Sequence, residues 1–171
     1  MIHHPEDADL HYLAARGWAA SDPRKSNALL AKVLRLNANH VEAWLMKSES
    51  ADTAEDYEKA VGHLNEVLKI NPHHPVAWGK LAAIANLRGE FELERLYREA
   101  GLAIWPSNPE VDHAIGKVLA RHYRFAEAAA AQRRALEFDA DHPGARFSLA
   151  QDLLRLGETE RGWELAEAAA E

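Results

Sequence analysis

A chain of 171 residues with 47% hydrophobic content is long enough to bury a core of ordinary size, which excludes wholesale disorder. Its 27 acidic side chains outnumber 20 basic ones, giving a formal net charge of −7 that argues against a general electrostatic grip on nucleic acid or anionic lipid. Having no cysteine, it can form neither disulfides nor thiolate zinc sites nor thiol nucleophiles.

The opening "MIHHPEDADL" has no basic region followed by an apolar stretch, and no later run approaches the roughly 18 apolar residues of a membrane helix. The expectation is a cytoplasmic protein with no membrane partner. Beyond the opening, the chain repeats. "LRLNANHVEAWLMKS" begins at Leu34, "LKINPHHPVAWGKLA" at Leu68, "LAIWPSNPEVDHAIG" at Leu102 and "LEFDADHPGARFSLA" at Leu136, a period of 34 without insertion. Five units follow: 7–40, 41–74, 75–108, 109–142 and an incomplete 143–171.

Each unit reads as two helices. Unit 7–40 offers Ala14 as the small residue of its first helix, and Asp22 before Pro23 as an N-cap followed by proline at the first helical position of its second. Unit 41–74 places Trp44 four residues before Ser48, and unit 75–108 places Trp78 four before Ala82. Unit 109–142 opens on Pro109, with Asn108 before it as an N-cap, and has Asp112 before Gly116, an aspartate where the pattern wants an apolar residue; unit 143–171 has Ala150 in the same phase. Every unit thus has a small residue where one helix backbone can approach another. Leu34, Leu68, Leu102 and Leu136, with Ala60 and Ala128, supply the inward stripe of the second helices. Gly89 and Gly157 fall between paired helices, where a positive φ ends the first. Pro75, Pro109 and Pro143 share one phase, so "INPHHPVAW" reads as a corner between units and its histidines as part of a joint.

The residues that carry this period resemble the tetratricopeptide repeat family: Trp78, Leu81, Ala82, Gly89, Phe91 and Pro106 in one unit, Ile115, Gly116, Phe125, Ala128 and Ala135 in the next, and Trp44, Ser48, Tyr57, Ala60 and Pro72 in the one before. Departures are Lys47 for leucine, Glu94 for alanine, and a first unit that lacks the tryptophan. The resemblance implies an all-α, right-handed solenoid of antiparallel helix hairpins over 1–171, first helices lining a concave groove. It also implies a non-catalytic scaffold that binds a protein or peptide there.

His40, His74 and His142 each close a unit and stand too far apart to share an ion, and no HExxH pair is present, so no metal or other cofactor is expected; His3 and His4 suit only adventitious metal. No phosphate loop, dinucleotide fingerprint or nucleophile elbow appears. Projection of each first helix selects inward residues: His11, Ala15 and Trp18; Leu45, Glu49 and Asp52; Gly79, Ala83 and Asn86 with Lys80 at the edge; His113, Lys117 and Arg121; and Phe147, Gln151 and Arg155. The projected groove is acidic early, small-sided in the middle and basic late. Lys117 and Arg121 suit an acidic segment or a free C-terminal carboxylate, with Phe147 as an apolar wall and Gly79 and Ala83 leaving room for the ligand backbone. The last unit leaves Trp163, Leu165 and Ala169 incompletely covered, which suggests more chain, a partner or self-association.

Two other functions compete. Segments such as "SDPRKSNALL" and "AQDLLRLGE" are similar to repeat regions that precede zinc metallopeptidase-like domains in large bacterial proteins, where the array would recruit or regulate. An RNA-binding helical repeat is disfavoured by the 34-residue period and the negative charge.

Overall fold

The computed structural model describes residues 7–168; His3, His4 and Ala169 lie outside them. Ten helices occupy this span, and no strand is present among the described residues. They are α1 (Ala8–Trp18), α2 (Pro23–Leu36), α3 (Val41–Thr53), α4 (Tyr57–Ile70), α5 (Pro75–Leu87), α6 (Phe91–Ile104), α7 (Pro109–Arg121), α8 (Phe125–Phe138), α9 (Pro143–Arg155) and α10 (Thr159–Ala168). Consecutive helices pair as hairpins. Two compact units emerge, Met1–Pro72 and His73–Glu171.

In the first unit α1 packs on α2, α2 on α3 and α3 on α4. Its core gathers Ala15, Leu30, Val33 and Ala43, with Tyr12 and Met46 against them. The second unit stacks three hairpins, α5 and α9 flanking α7. Ala82, Ala83, Val111, Ile115, Val118, Leu119, Ala128 and Ala131 form its main core.

The small-residue phase does what close packing requires in four hairpins: Ser48, Ala82, Gly116 and Ala150 are all buried. The first hairpin departs from it. Ala14 is exposed and Ala15 is wholly buried, with the Ser26 hydroxyl donating to the Ala15 carbonyl at 2.9 Å. The cause is the spacing within the hairpin: Ala15 lies eight residues before Pro23, where α2 begins, whereas Ser48, Ala82, Gly116 and Ala150 each lie nine before the start of the paired helix. One residue fewer turns the helix by about 100° relative to its partner. The inward projection of His11, Ala15 and Trp18 is therefore corrected, since Ala15 belongs to the core.

The turns between paired helices share a geometry. Gly89 has φ 74° and Gly157 φ 82°, as their glycine identity predicts, while the same place is filled by Glu55 at φ 59° and Tyr123 at φ 60°. Each first helix then begins at a capped corner. The Nδ1 atoms of His40, His74 and His142 accept from the backbone N–H of Ala43, Ala77 and Ala145 at 3.2, 3.4 and 3.0 Å, and Asn108 Oδ1 accepts from Glu110 N–H at 2.9 Å. The corner histidines are helix caps. Accepting at Nδ1 puts the ring hydrogen on Nε2, which in His142 lies 3.1 Å from Glu110 Oε1.

Candidate functional site

The second unit holds a cavity of about 900 Å³ walled by α7, the turn after it, the start of α8 and α9. α7 contributes His113, Lys117 and Arg121, residues four apart that share one face of the helix. α9 contributes Phe147, Ser148, Gln151, Asp152 and Arg155, the i, i+3, i+4 stripe that faces α7. Six side chains selected from the sequence thus border one space: His113, Lys117, Arg121, Phe147, Gln151 and Arg155. Lys117, Arg121, Gln151 and Arg155 are exposed, and Phe147 is 56% exposed, so both the cationic ends and the ring face solvent at the mouth.

Deeper in, the cavity is shaped by buried partners. His113 Nδ1 bonds Gln132 Oε1 at 2.8 Å, and Gln132 is fully buried. Burial holds the His113 imidazole below its ordinary value; the Gln132 bond opposes this and the nearby Lys117 charge adds to it. A neutral ring donating from Nδ1 leaves Nε2 as an acceptor, close to Gly144 on the facing helix. The positive φ of Tyr123 presents its ring at the rim, 79% exposed and edge-on to Phe125 at 6.1 Å. Arg155 lies 5.8 Å over the Phe125 ring.

Asp152 is the unexpected member. It is 3% exposed, its Oδ2 finds no hydrogen-bond partner among the described residues, and desolvation pushes its carboxyl up to about 6. Its phase is that of Ile84 and Val118, both core residues, so helical projection alone gives no reason to single it out. Tyr123 was equally hidden, although its alignment with Gly89 and Gly157 was a readable signal.

Other sequence-selected residues lie elsewhere. Trp18 is 39% exposed with Lys25 Nζ 3.5 Å from its ring centre. Glu49 borders a shallower cleft of about 310 Å³ in the first unit with Tyr12, Arg16, Glu42 and Leu45. Asp52 and Lys80 are buried, at 2% and 7% exposure, and neither borders the α7–α9 cavity or the cleft beside Glu49. Asn86 donates to Glu94 Oε2 at 2.9 Å, the glutamate that stands where alanine was expected. Gly79 and Ala83 are buried too, and a Cβ on Gly79 would meet the Val111 carbonyl and Ala114 of α7. Their smallness lets α5 approach α7; it leaves no room for a ligand backbone.

Among the described residues no cluster of three or more histidine or carboxylate side chains is arranged to hold a metal, and no helix is long and apolar enough to cross a membrane. Stacked hairpins of a fixed length, with small residues at the crossings, define an α-helical repeat protein. The sequence matches the tetratricopeptide repeat over residues 17–75 and 45–109, more than half its length, and the chain belongs to that family. Among solved structures of similar fold is MamA 41-end from Desulfovibrio magneticus RS-1, with 18% identity over 95% of this chain and 93% of that one and a TM-score of 0.56. Pseudomonas aeruginosa PilF has 13% identity over 95% of this chain and 76% of that one, TM-score 0.59. YrrB, a TPR protein with an unusual peptide-binding site, has 17% identity over 97% of this chain and 86% of that one, TM-score 0.55. No curated protein matches the sequence. The family is one of protein–protein interaction scaffolds.

Proposed function

We propose that the chain is a non-catalytic peptide-binding scaffold, and that the α7–α9 cavity holds an acidic side chain or free C-terminal carboxylate of the bound segment. Lys117 and Arg121 supply charge-assisted hydrogen bonds from α7, and Arg155 supplies a third cation from α9. Phe147 and Tyr123 form the apolar walls, and Gln151 offers both a donor and an acceptor to a peptide backbone. The observation that carries this reading is the convergence of three cations and two exposed rings, from two helices and one strained turn, on a single concave space.

The test is fluorescence polarisation with short labelled peptides that end in an acidic residue, carrying a free or an amidated C-terminus. Reversing the charge of both α7 cations, Lys117→Glu with Arg121→Glu, should raise the Kd by more than about tenfold, since each charge-assisted bond lost weakens binding by about 1.5–3 kcal/mol. Affinity indifferent to the double change overturns the assignment.

A further inference from the structure

A purely acidic ligand does not fully suit this cavity. Asp152 stands on the same helix as Arg155, three residues before it, and four after Ser148, so its carboxylate shares the α9 wall with Arg155, across from Lys117 and Arg121 on α7. Arg155 projects over the Phe125 ring, and Asp152 Oδ2 is left unpartnered at 3% exposure. An occupant that displaces water from the cavity deepens the desolvation of that carboxylate. Without a donor for Oδ2, the complex would carry a buried, uncompensated charge. An occupant bearing only carboxylates would add like-charge repulsion as well.

We propose that the cavity is bipolar and selects peptides in which a carboxylate is flanked by a lysine or arginine side chain, the carboxylate taken by Lys117 and Arg121 and the neighbouring cation by Asp152. The inference rests on the carboxylate reading above and deepens it by adding the second recognition element. Two features support a charged donor over a neutral one. The repulsion described above is reversed in sign only by a cation, and a charge-assisted bond to a desolvated carboxylate is about twice as strong as a neutral one. Ser148, one turn before Asp152, and Gln151 beside it give the peptide backbone polar anchors between the two charged points.

The experiment uses the 171-residue chain and three labelled, end-capped peptides: Gly-Gly-Asp-Lys-Gly-Gly, the same with norleucine for lysine, and the same with asparagine for aspartate. Norleucine keeps the length and apolar stem of lysine and removes the charge. The wild type is expected to prefer the lysine peptide over the norleucine peptide by about tenfold, the worth of one additional charge-assisted bond. Asp152→Asn removes a buried charge and keeps the shape, so it folds, as circular dichroism will verify, and its preference is expected to shrink to about twofold or less. Equal binding of the lysine and norleucine peptides by the wild type overturns the bipolar cavity. So does a lysine preference that survives Asp152→Asn. Loss of affinity for the asparagine peptide in either case upholds the carboxylate subsite, whereas its retention, together with indifference to Lys117→Glu and Arg121→Glu, overturns both readings at once.

Discussion

Arg98 of α6 grips Asp112 of α7 with two bonds, Nη2 to Oδ2 at 2.7 Å and Nε to Oδ1 at 2.8 Å. Arg134 of α8 adds a third from the other side, Nε to Oδ1 at 2.8 Å. Asp112 is fully buried and sits where two other units carry Trp44 and Trp78. The aspartate that broke the apolar pattern is thus the centre of a triad joining three helices of the second unit. The bonds to Asp112 hold Arg98 above the ordinary arginine value against the opposing effect of burial. Asp112→Ala leaves two guanidinium groups without their anion and opens a void. The expected loss is about 3 kcal/mol, at the lower end for a broken buried pair because both arginines reach water. Urea denaturation, with Arg98→Met and the double variant completing a thermodynamic cycle, measures it; additivity of the two changes would show that the pair is not coupled.

The histidine caps make a separate prediction. His142→Ala removes the acceptor for Ala145 N–H and should lower stability by about 1 kcal/mol, while His142→Asn, whose oxygen can make the same bond, should retain most of it. Thermal melts of the two variants distinguish a cap from a residue kept for its ring contact with His113 at 5.1 Å, because only a ring role would make asparagine as damaging as alanine.

Asp152 gives the chain a pH dependence of unusual sign. Its folded-state carboxyl is raised to about 6 by desolvation, above the unfolded value, so between about pH 4 and 6 the folded chain binds more protons than the unfolded one. This group's contribution therefore falls as pH rises through that window. The charged or titratable groups bordering the same cavity are His113, Lys117 and Arg121 on α7, Tyr123 in the turn and Arg155 on α9. With allowance for solvent at the open mouth, Asp152→Asn should stabilise the chain by about 1–2 kcal/mol at pH 7 and by little at pH 4. Urea midpoints at the two pH values read this directly, and an equal effect at both would contradict it.

Glu55 and Tyr123 hold a left-handed backbone that glycine adopts freely. Glu55→Gly should therefore stabilise by about 1 kcal/mol. Tyr123→Gly should gain similarly in stability while weakening ligand binding through loss of an exposed wall. A Tyr123→Gly protein that binds as tightly as the wild type would place that ring outside the site.

How much of this was legible can be traced residue by residue. The hairpin stack follows from the small residues Ser48, Ala82, Gly116 and Ala150, because backbone approach demands smallness at a fixed phase and the period exposes that demand. Lys117, Arg121, Gln151 and Arg155 were legible because i, i+4 spacing on a helix whose other face is apolar leaves them only one direction to point. Asp52 and Lys80 misled the same projection. Periodicity assigns a side chain to a face, but whether a neighbouring helix closes that face depends on packing that no local pattern encodes. Gly79 and Ala83 failed for a related reason, as small residues serve a helix crossing and a ligand channel equally well in sequence. Asp152 occupies a phase held by apolar residues in other repeats, and only coordinates reveal a carboxylate at that core position, whereas Tyr123 shares the phase of Gly89 and Gly157 and was marked by the period itself.

The shorter spacing from Ala15 to Pro23 in the first hairpin has a practical corollary. Tyr12 contacts His40 as His113 contacts His142, and Asp9 approaches His40 as Glu110 approaches His142, yet the two α1 residues stand one short of three full periods before their counterparts, whereas His40 and His142 are three full periods apart. Substitutions transplanted onto α1 by simple counting will land on the wrong side of that helix. Anyone building chimaeras from this array must shift the α1 numbering before cutting.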